Sequence, residues 1–342
     1  MAVYHNRGSI LQSFERYEQA IADFDNVLRL SPEDALAFRR RGRSYLELEN
    51  YQEALLDYEE AIRLNPEDAV ACTKRGTVCR ALGRYAEAIA YYGEAIRLDR
   101  ENAEAYAGRG AVFGTLGRYQ EALADHDAAL GIDPEYRGVH HERGQIFAAQ
   151  GRYEEAVAEL DEALRVNPED ANALYGRGNA YYSVGQFAAA LADYDEATKL
   201  EEDFADALLS RGITRMALEQ YEGALADFER AIKLEPENHT AYLNRGEVYA
   251  ALGRSEEALT EYSAAIRHAP QDCTIYLRRA NVYRTLDRLE DALADYNEAN
   301  YCDPQNAAVF DRRGETLYAL GREAEALADY DMAIRLDPMD HA

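Results

Sequence analysis

The 342 residues carry 37 Lys and Arg against 64 Asp and Glu, a formal charge of -27, and 47% of them are hydrophobic. So acidic a chain repels phosphate backbones and anionic bilayers, which excludes nucleic acid and membrane as general partners, and no stretch approaches the ~18 apolar residues of a membrane span. Four cysteines without a disulfide-like pattern give no sign of an oxidising compartment, so the cytoplasm is the expected location.

The opening stretch, MAVYHNRGSILQSFERY, has no apolar h-region of a signal peptide and already lies on a strict grid of 34 residues. Gly8, Gly42, Gly76, Gly110, Gly144, Gly178, Gly212, Gly246 and Gly314 stand on that grid, with Ala280 in the remaining slot and an Arg before each. A second grid runs from Ala20 through Ala54 and Ala88 to Ala326. Ten repeats fit, starting at residues 1, 35, 69, 103, 137, 171, 205, 239, 273 and 307, with no insertion and a tail at 341–342. Self-similarity at such a period is the mark of a stacked array, because one unit cannot bury its apolar face alone.

Within a repeat, positions are numbered 1 to 34. Positions 4, 8 and 11 share one helical face, and positions 17, 20, 21, 24, 27 and 28 share another, so each repeat predicts a helical hairpin. All eight prolines occupy position 32, from Pro32 to Pro338, where a residue that cannot continue a helix belongs. Asp34, Asp68, Asp170, Asn238 and Asp272 follow as expected N-caps.

Along the chain the second repeat shows the second stripe plainly, in Tyr51, Ala54, Leu55, Tyr58, Ala61 and Ile62. The third puts Cys72 and Cys79 at the large positions 4 and 11, where they read as small buried hydrophobes, and has Arg100 in place of proline. The fourth has His126 at position 24. The fifth holds His140, His141 and Glu142, the densest set of metal-ligand types; His140 at position 4 should face the core and its neighbour elsewhere, so no metal site is expected, and Leu160 fills position 24. The sixth has Glu202 in place of proline, the seventh has Arg215 at position 11, the eighth shows the first stripe in Tyr242, Gly246 and Tyr249 but opens its second helix on Ser255, and the tenth opens its second on Glu323. No phosphate loop, HExxH or nucleophile elbow occurs, and acidic pairs such as Glu33-Asp34 recur with the loops, so neither catalysis nor a cofactor is expected. Position 7 is Arg in all ten repeats and position 23 is acidic in nine of ten, as in Asp23, Asp57, Asp193 and Asp329, which predicts a ladder of Arg-carboxylate pairs between the two helices.

This order of aromatic, Gly, aromatic, Ala, aromatic, Ala and Pro over 34 residues resembles the tetratricopeptide repeat, in a variant with Arg-Gly at positions 7 and 8. The resemblance spans residues 1–340. It implies an all-α fold, a right-handed superhelical solenoid of antiparallel helix pairs whose first helices line a concave groove for proteins or peptides. Groove positions 2, 5, 9, 12 and 13 would then carry function, since the shared residues serve folding.

Those positions offer Arg39, Arg43 and Arg80 with Thr73 and Thr77 between them, then Asn172, Tyr175, Asn179 and Tyr182, then Leu209, Ile213 and Met216, then Asn281 and Arg284. A basic patch inside an acidic molecule would draw an acidic or carboxylate-bearing segment, the polar residues would hold its backbone, and the apolar patch would take a side chain. The alternatives are that the arginines pair with nearby acids and that the apolar patch is core. The carboxylate clamp of chaperone-binding relatives is not met, because its five positions in repeats one to three read His5, Ser9, Arg40, Val70 and Lys74. The expectation is a noncatalytic interaction scaffold. A self-assembling scaffold that oligomerises through its solenoid ends, or the interaction domain of a longer protein, is the other reading.

Overall fold

The computed structural model describes residues 1–337; the proline expected to stop the last helix, Pro338, and the tail at 341–342 lie outside them. Among the described residues the chain forms twenty helices and no strand. Two compact units divide between Pro168 and Glu169. The first holds α1 (Ala2–Ser13), α2 (Tyr17–Leu30), α3 (Ala35–Glu47), α4 (Tyr51–Leu64), α5 (Ala69–Ala81), α6 (Tyr85–Leu98), α7 (Ala103–Thr115), α8 (Tyr119–Ile132), α9 (Val139–Ala149) and α10 (Tyr153–Val166). The second holds α11 (Ala171–Ser183), α12 (Phe187–Leu200), α13 (Ala205–Ala217), α14 (Tyr221–Leu234), α15 (His239–Ala251), α16 (Ser255–His268), α17 (Cys273–Thr285), α18 (Leu289–Cys302), α19 (Ala307–Ala319) and α20 (Glu323–Leu336).

Each repeat is one hairpin, and the grid residues show why. An added Cβ on Gly178 would lie 2.7 Å from the Tyr194 ring and one on Gly212 2.6 Å from Phe228, so the first helix can approach the position-24 ring only where it has no side chain. The rings themselves are fully enclosed: Tyr58, Tyr92, Tyr194, Tyr262 and Tyr296 are among the largest buried side chains. Ala at position 20 is buried in all ten repeats and Ala at position 27 in eight of them, as at Ala54 and Ala61, which lets the helix backbones close up.

The first helices begin on the expected caps: the side chains of Asp34, Asp68, Asp170, Asn238 and Asp272 each accept a backbone N–H of the first turn. The link between the two helices of a hairpin needs a left-handed residue at position 15. Gly83 and Gly117 supply it at φ 70° and 71°, whereas Glu15, Glu49, Glu219 and Asp287 adopt it at 57° or 58° despite their side chains.

Within each unit second helices pack on the first helix of the following repeat, and first helices also touch one another, α1 on α3 and α3 on α5 in the first unit, α11 on α13 and α13 on α15 in the second. Inside a unit, positions 21 and 28 of one repeat meet positions 3 and 10 of the next. Leu259 and Ile266 thus share a core with Ile275 and Val282, and Leu225 packs with Val248.

Candidate functional site

The arginine ladder forms. Arg7 to Asp23, Arg41 to Asp57, Arg109 to Asp125, Arg177 to Asp193, Arg211 to Asp227, Arg279 to Asp295 and Arg313 to Asp329 are two-pronged, with Nε donating to one carboxylate oxygen and a terminal nitrogen to the other at 2.5–3.0 Å. Arg245 bonds both oxygens of Glu261, and Arg143 reaches Glu159 at 2.8 Å. The third repeat has Tyr91 where the acid would be, and Arg75 lies over that ring at 4.3 Å. Burial pushes the Asp57 carboxyl up while Arg41 pulls it back down, and the hydrogen bond to Asp57 holds the guanidinium above its usual range. Removing such an arginine would strand a buried carboxylate, at a cost of roughly 3–5 kcal/mol.

The same guanidinium reaches backwards to position 25 of the preceding repeat. Arg41 pairs with Asp25 at 2.5 Å, Arg211 with Asp195 at 2.9 Å, Arg279 with the Ser263 hydroxyl at 2.9 Å and Arg313 with Asn297 at 3.0 Å. Arg143 likewise bridges to Asp127. Arg215, out of pattern at position 11, joins this network through Asp227 at 2.8 Å and Asp195 at 3.0 Å. The repeated charges are therefore structural.

Charge that the ladder does not use collects in one cavity of about 390 Å³ in the first unit, lined by Ser9, Gln12, Ser13, Arg39, Arg40, Arg43, Tyr58, Val70 and Lys74. Arg39 touches Asp68 at 3.2 Å and Lys74 bonds Glu104 at 2.6 Å. Arg43 is well exposed and only 3.9 Å from Glu47. Arg40 donates to the Ser9 hydroxyl at 2.5 Å, and among the described residues no carboxylate is in ion-pair reach of it; burial and the neighbouring Arg39 lower its pKa.

The cavity is also lined by a phenol without a partner. Tyr58 is fully buried, yet its hydroxyl makes no hydrogen bond. In other repeats the position-24 phenol meets position 9 of its own hairpin, Tyr92 with Thr77 at 3.2 Å, Tyr194 with Asn179 at 2.6 Å and Tyr296 with Asn281 at 2.7 Å. In the second repeat position 9 is Arg43, which accepts nothing. A buried unsatisfied hydroxyl costs about 1–3 kcal/mol. Arg40 and the Tyr58 hydroxyl are the parts of this site that sequence patterning alone passed over.

Arg80 does not join Arg39 and Arg43. It lines a separate cavity of about 300 Å³ with Tyr119, His126, Glu142, Gln145 and Ile146. His126, in the slot of a ring, is fully buried, and its Nε2 lies 3.4 Å from Glu142 without a hydrogen bond. Burial lowers the imidazole to about 4, helped by Arg143, and raises the Glu142 carboxyl to about 7.

The other expected groove residues are largely committed to packing. The Thr73 hydroxyl donates to Ala69 O and accepts from Asn102, and Thr77 donates to Thr73 O. Tyr175 packs on Phe204 at 5.0 Å and Tyr182 on Phe187 at 5.2 Å between ring centres. The side chains of Asn179 and Asn281 hold phenols, Arg284 pairs with Glu315, and Leu209, Ile213 and Met216 pack on the Phe228 core while keeping part of their surface. Asn172 is exposed. Cys72 and Cys79 are buried as read, and burial pushes the Cys72 thiol up to about 11. His140 bonds Glu159 on α10 while His141 bonds Gln145 on its own helix, so the two point apart.

Among the described residues no helix is long and apolar enough to cross a membrane. No curated protein matches the chain. Among solved structures it is similar to YrrB, described as a TPR protein with an unusual peptide-binding site, at 27% identity over 54% of this chain and 95% of that one, with a TM-score of 0.47. A tetratricopeptide repeat protein from Parabacteroides merdae shares 19% identity over 72% of this chain and 98% of its own, TM-score 0.52, and Pseudomonas aeruginosa pilF 20% over 59% and 92%, TM-score 0.54. Family models described as tetratricopeptide repeat match residues 5–69, 103–136, 209–272, 251–307 and 277–341, and one described as TPR repeat matches 76–117, 144–185 and 178–219. With its hairpins on a 34-residue period and these matches along its length, the chain belongs to the tetratricopeptide repeat family of protein-interaction scaffolds.

Proposed function

We propose that the protein is a noncatalytic scaffold that binds an extended acidic segment of a protein partner, with one carboxylate seated in the cavity between α1, α3 and α5. The observation that carries this reading is the unpartnered Tyr58 hydroxyl in a cavity lined by Arg39, Arg40, Arg43 and Lys74. A hydroxyl donor and several cations around one space suit an anion with several lone pairs, and arginine favours planar carboxylates. The rest of the segment would run over the first helices, with Asn172, Tyr175 and the exposed parts of Leu209, Ile213 and Met216 as further contacts. The setting this reading takes is the cytoplasm.

The test is calorimetric titration at about 50 mM salt, where exposed charges are weakly screened, with a hexaglutamate peptide as probe and hexalysine as control. Hexaglutamate should bind and hexalysine should not. Arg40→Gln/Arg43→Glu should weaken binding at least about tenfold. Tyr58→Phe should weaken it several-fold while raising the urea midpoint of the free protein, because the substitution removes a hydroxyl that folding leaves unsatisfied. Equal binding by wild type and both variants, or no uptake of hexaglutamate by any, would remove the cavity from the mechanism.

A further inference from the structure

Two positions of the hairpin change together in one repeat. Position 1 is Ala and position 30 is Leu in six repeats each, and only the ninth carries cysteine at both, as Cys273 and Cys302. Cys273 is the first residue of α17 and Cys302 the last of α18. The two helices are antiparallel and pack on one another, so these ends lie side by side. The Cys302 thiol hydrogen-bonds the Cys273 sulfur, and Cys273 Sγ in turn donates to Gln271 O at 3.8 Å. Both are free thiols and half-buried, within reach of a small reagent from solvent.

The other two cysteines offer no such pair. Cys72 and Cys79 are buried in the core, and seven residues of α5 separate them by about 10 Å along the helix axis, beyond the ~7 Å between Cα atoms that a disulfide spans. Nor do Cys273 and Cys302 belong to a metal centre: among the described residues no group of three or more His, Cys, Asp and Glu has the arrangement a metal ion needs.

We propose that Cys273 and Cys302 are a site of reversible oxidation, joined by a disulfide that clips the start of α17 to the end of α18. A small disulfide such as oxidised glutathione is the oxidant. The Cys273 thiolate attacks one of its sulfurs and expels a glutathione thiolate, leaving a mixed disulfide. Cys302 then gives its proton to solvent and attacks the Cys273 sulfur, which expels the second glutathione. Two protein thiols are oxidised and one glutathione disulfide is reduced to two thiols. Burial, and then the hydrogen bond to Cys273, push the Cys302 thiol up to about 11, so near neutral pH it keeps its proton and enters second. The bond closes the ninth hairpin into a ring, restricting its unfolded form and holding its open end against fraying. It lies in the second unit, uses none of the residues of the carboxylate cavity and stands independently of the peptide-binding reading.

Equilibration of the full chain in buffers of reduced and oxidised glutathione tests it, with thiols counted after denaturation and linkages read by peptide mapping without reductant. The wild type should lose two of its four thiols, with Cys273 joined to Cys302 inside one chain and Cys72 and Cys79 still reduced. Cys302→Ser should stop at a glutathione adduct on Cys273. The urea midpoint of the wild type should rise on oxidation and return with dithiothreitol. Cys273→Ala/Cys302→Leu, which restores the residues most repeats have there, should respond to neither treatment. Four thiols retained at the most oxidising ratio overturn the proposal. So does a bond to another cysteine or to a second chain, or a midpoint that does not move when the bond forms.

Discussion

At position 24 the array tolerates exchange of the buried ring at the cost of a pH dependence. His126 fills the slot of a tyrosine or phenylalanine, and Gly110 leaves room for its ring. Its imidazole is lowered from 6.5 to about 4, chiefly by burial and then by Arg143, with Asp125 and Asp127 acting the other way. The unfolded chain therefore takes up this proton near pH 6.5 while the folded chain refuses it until about pH 4. The contribution to stability is full above 6.5 and is lost as the pH falls through 4. Glu142, facing it at 3.4 Å, runs oppositely: raised to about 7, it favours the fold at low pH and loses that advantage between its unfolded value of 4.5 and 7. His126→Phe removes the first effect and keeps the second. Its urea midpoint, relative to wild type, should therefore be more favourable at pH 4.5 than at pH 8, by the equivalent of roughly 2 kcal/mol; equal effects at both pH values would mean that the imidazole does not titrate with folding. The site was legible in the sequence only in part at this level. Arg39 and Arg43 stand out because cations are scarce at groove positions, but the orphaned Tyr58 hydroxyl appears only once position 9 is known to face position 24. Arg80 belongs to the same set of expected groove positions, yet at position 12 of α5 it faces a different cavity, one lined by residues of α7, α8 and α9.

Between the helices of each hairpin the chain must turn through a left-handed residue, and here four of ten repeats use Glu or Asp at a place where six use Gly. Nothing lies near the added Cβ at Gly83, so the difference between the two kinds of repeat is backbone strain alone. Glu49→Gly should stabilise the protein by about 0.5–1 kcal/mol and Gly83→Ala should destabilise it by a similar or larger amount. Urea midpoints at one pH check this, and a loss of stability in Glu49→Gly would mean that the side chain makes a compensating contact. Helices, stops and caps were almost fully legible in the sequence, because each is a local steric or hydrogen-bonding demand repeated ten times. The arginine ladder was legible for the same reason. Its backward reach to position 25 was not, since that position varies among Asp, Glu, Ser, Asn and Gly and its meaning depends on how one hairpin lies on the next.

Within each compact unit every hairpin is held by its neighbours, so the stability of a unit is close to a sum of repeats and interfaces. The first compact unit, residues 1–168, contains the entire carboxylate cavity. Produced alone, it should remain helical and bind hexaglutamate within about threefold of the full chain at equal salt; a helical fragment that had lost binding would place part of the anion site beyond residue 168. The arginine at position 7 has a further consequence of a genetic kind. By grasping one acid in its own hairpin and, at Arg41, Arg143, Arg211, Arg279 and Arg313, another group in the hairpin behind, it makes such a repeat both plug and socket of a single pattern. A gene for such a chain can gain or lose a 34-residue block through unequal recombination without redesigning any joint. The length of the array is then free to drift, and selection can act on how far a partner must be held rather than on how the scaffold folds.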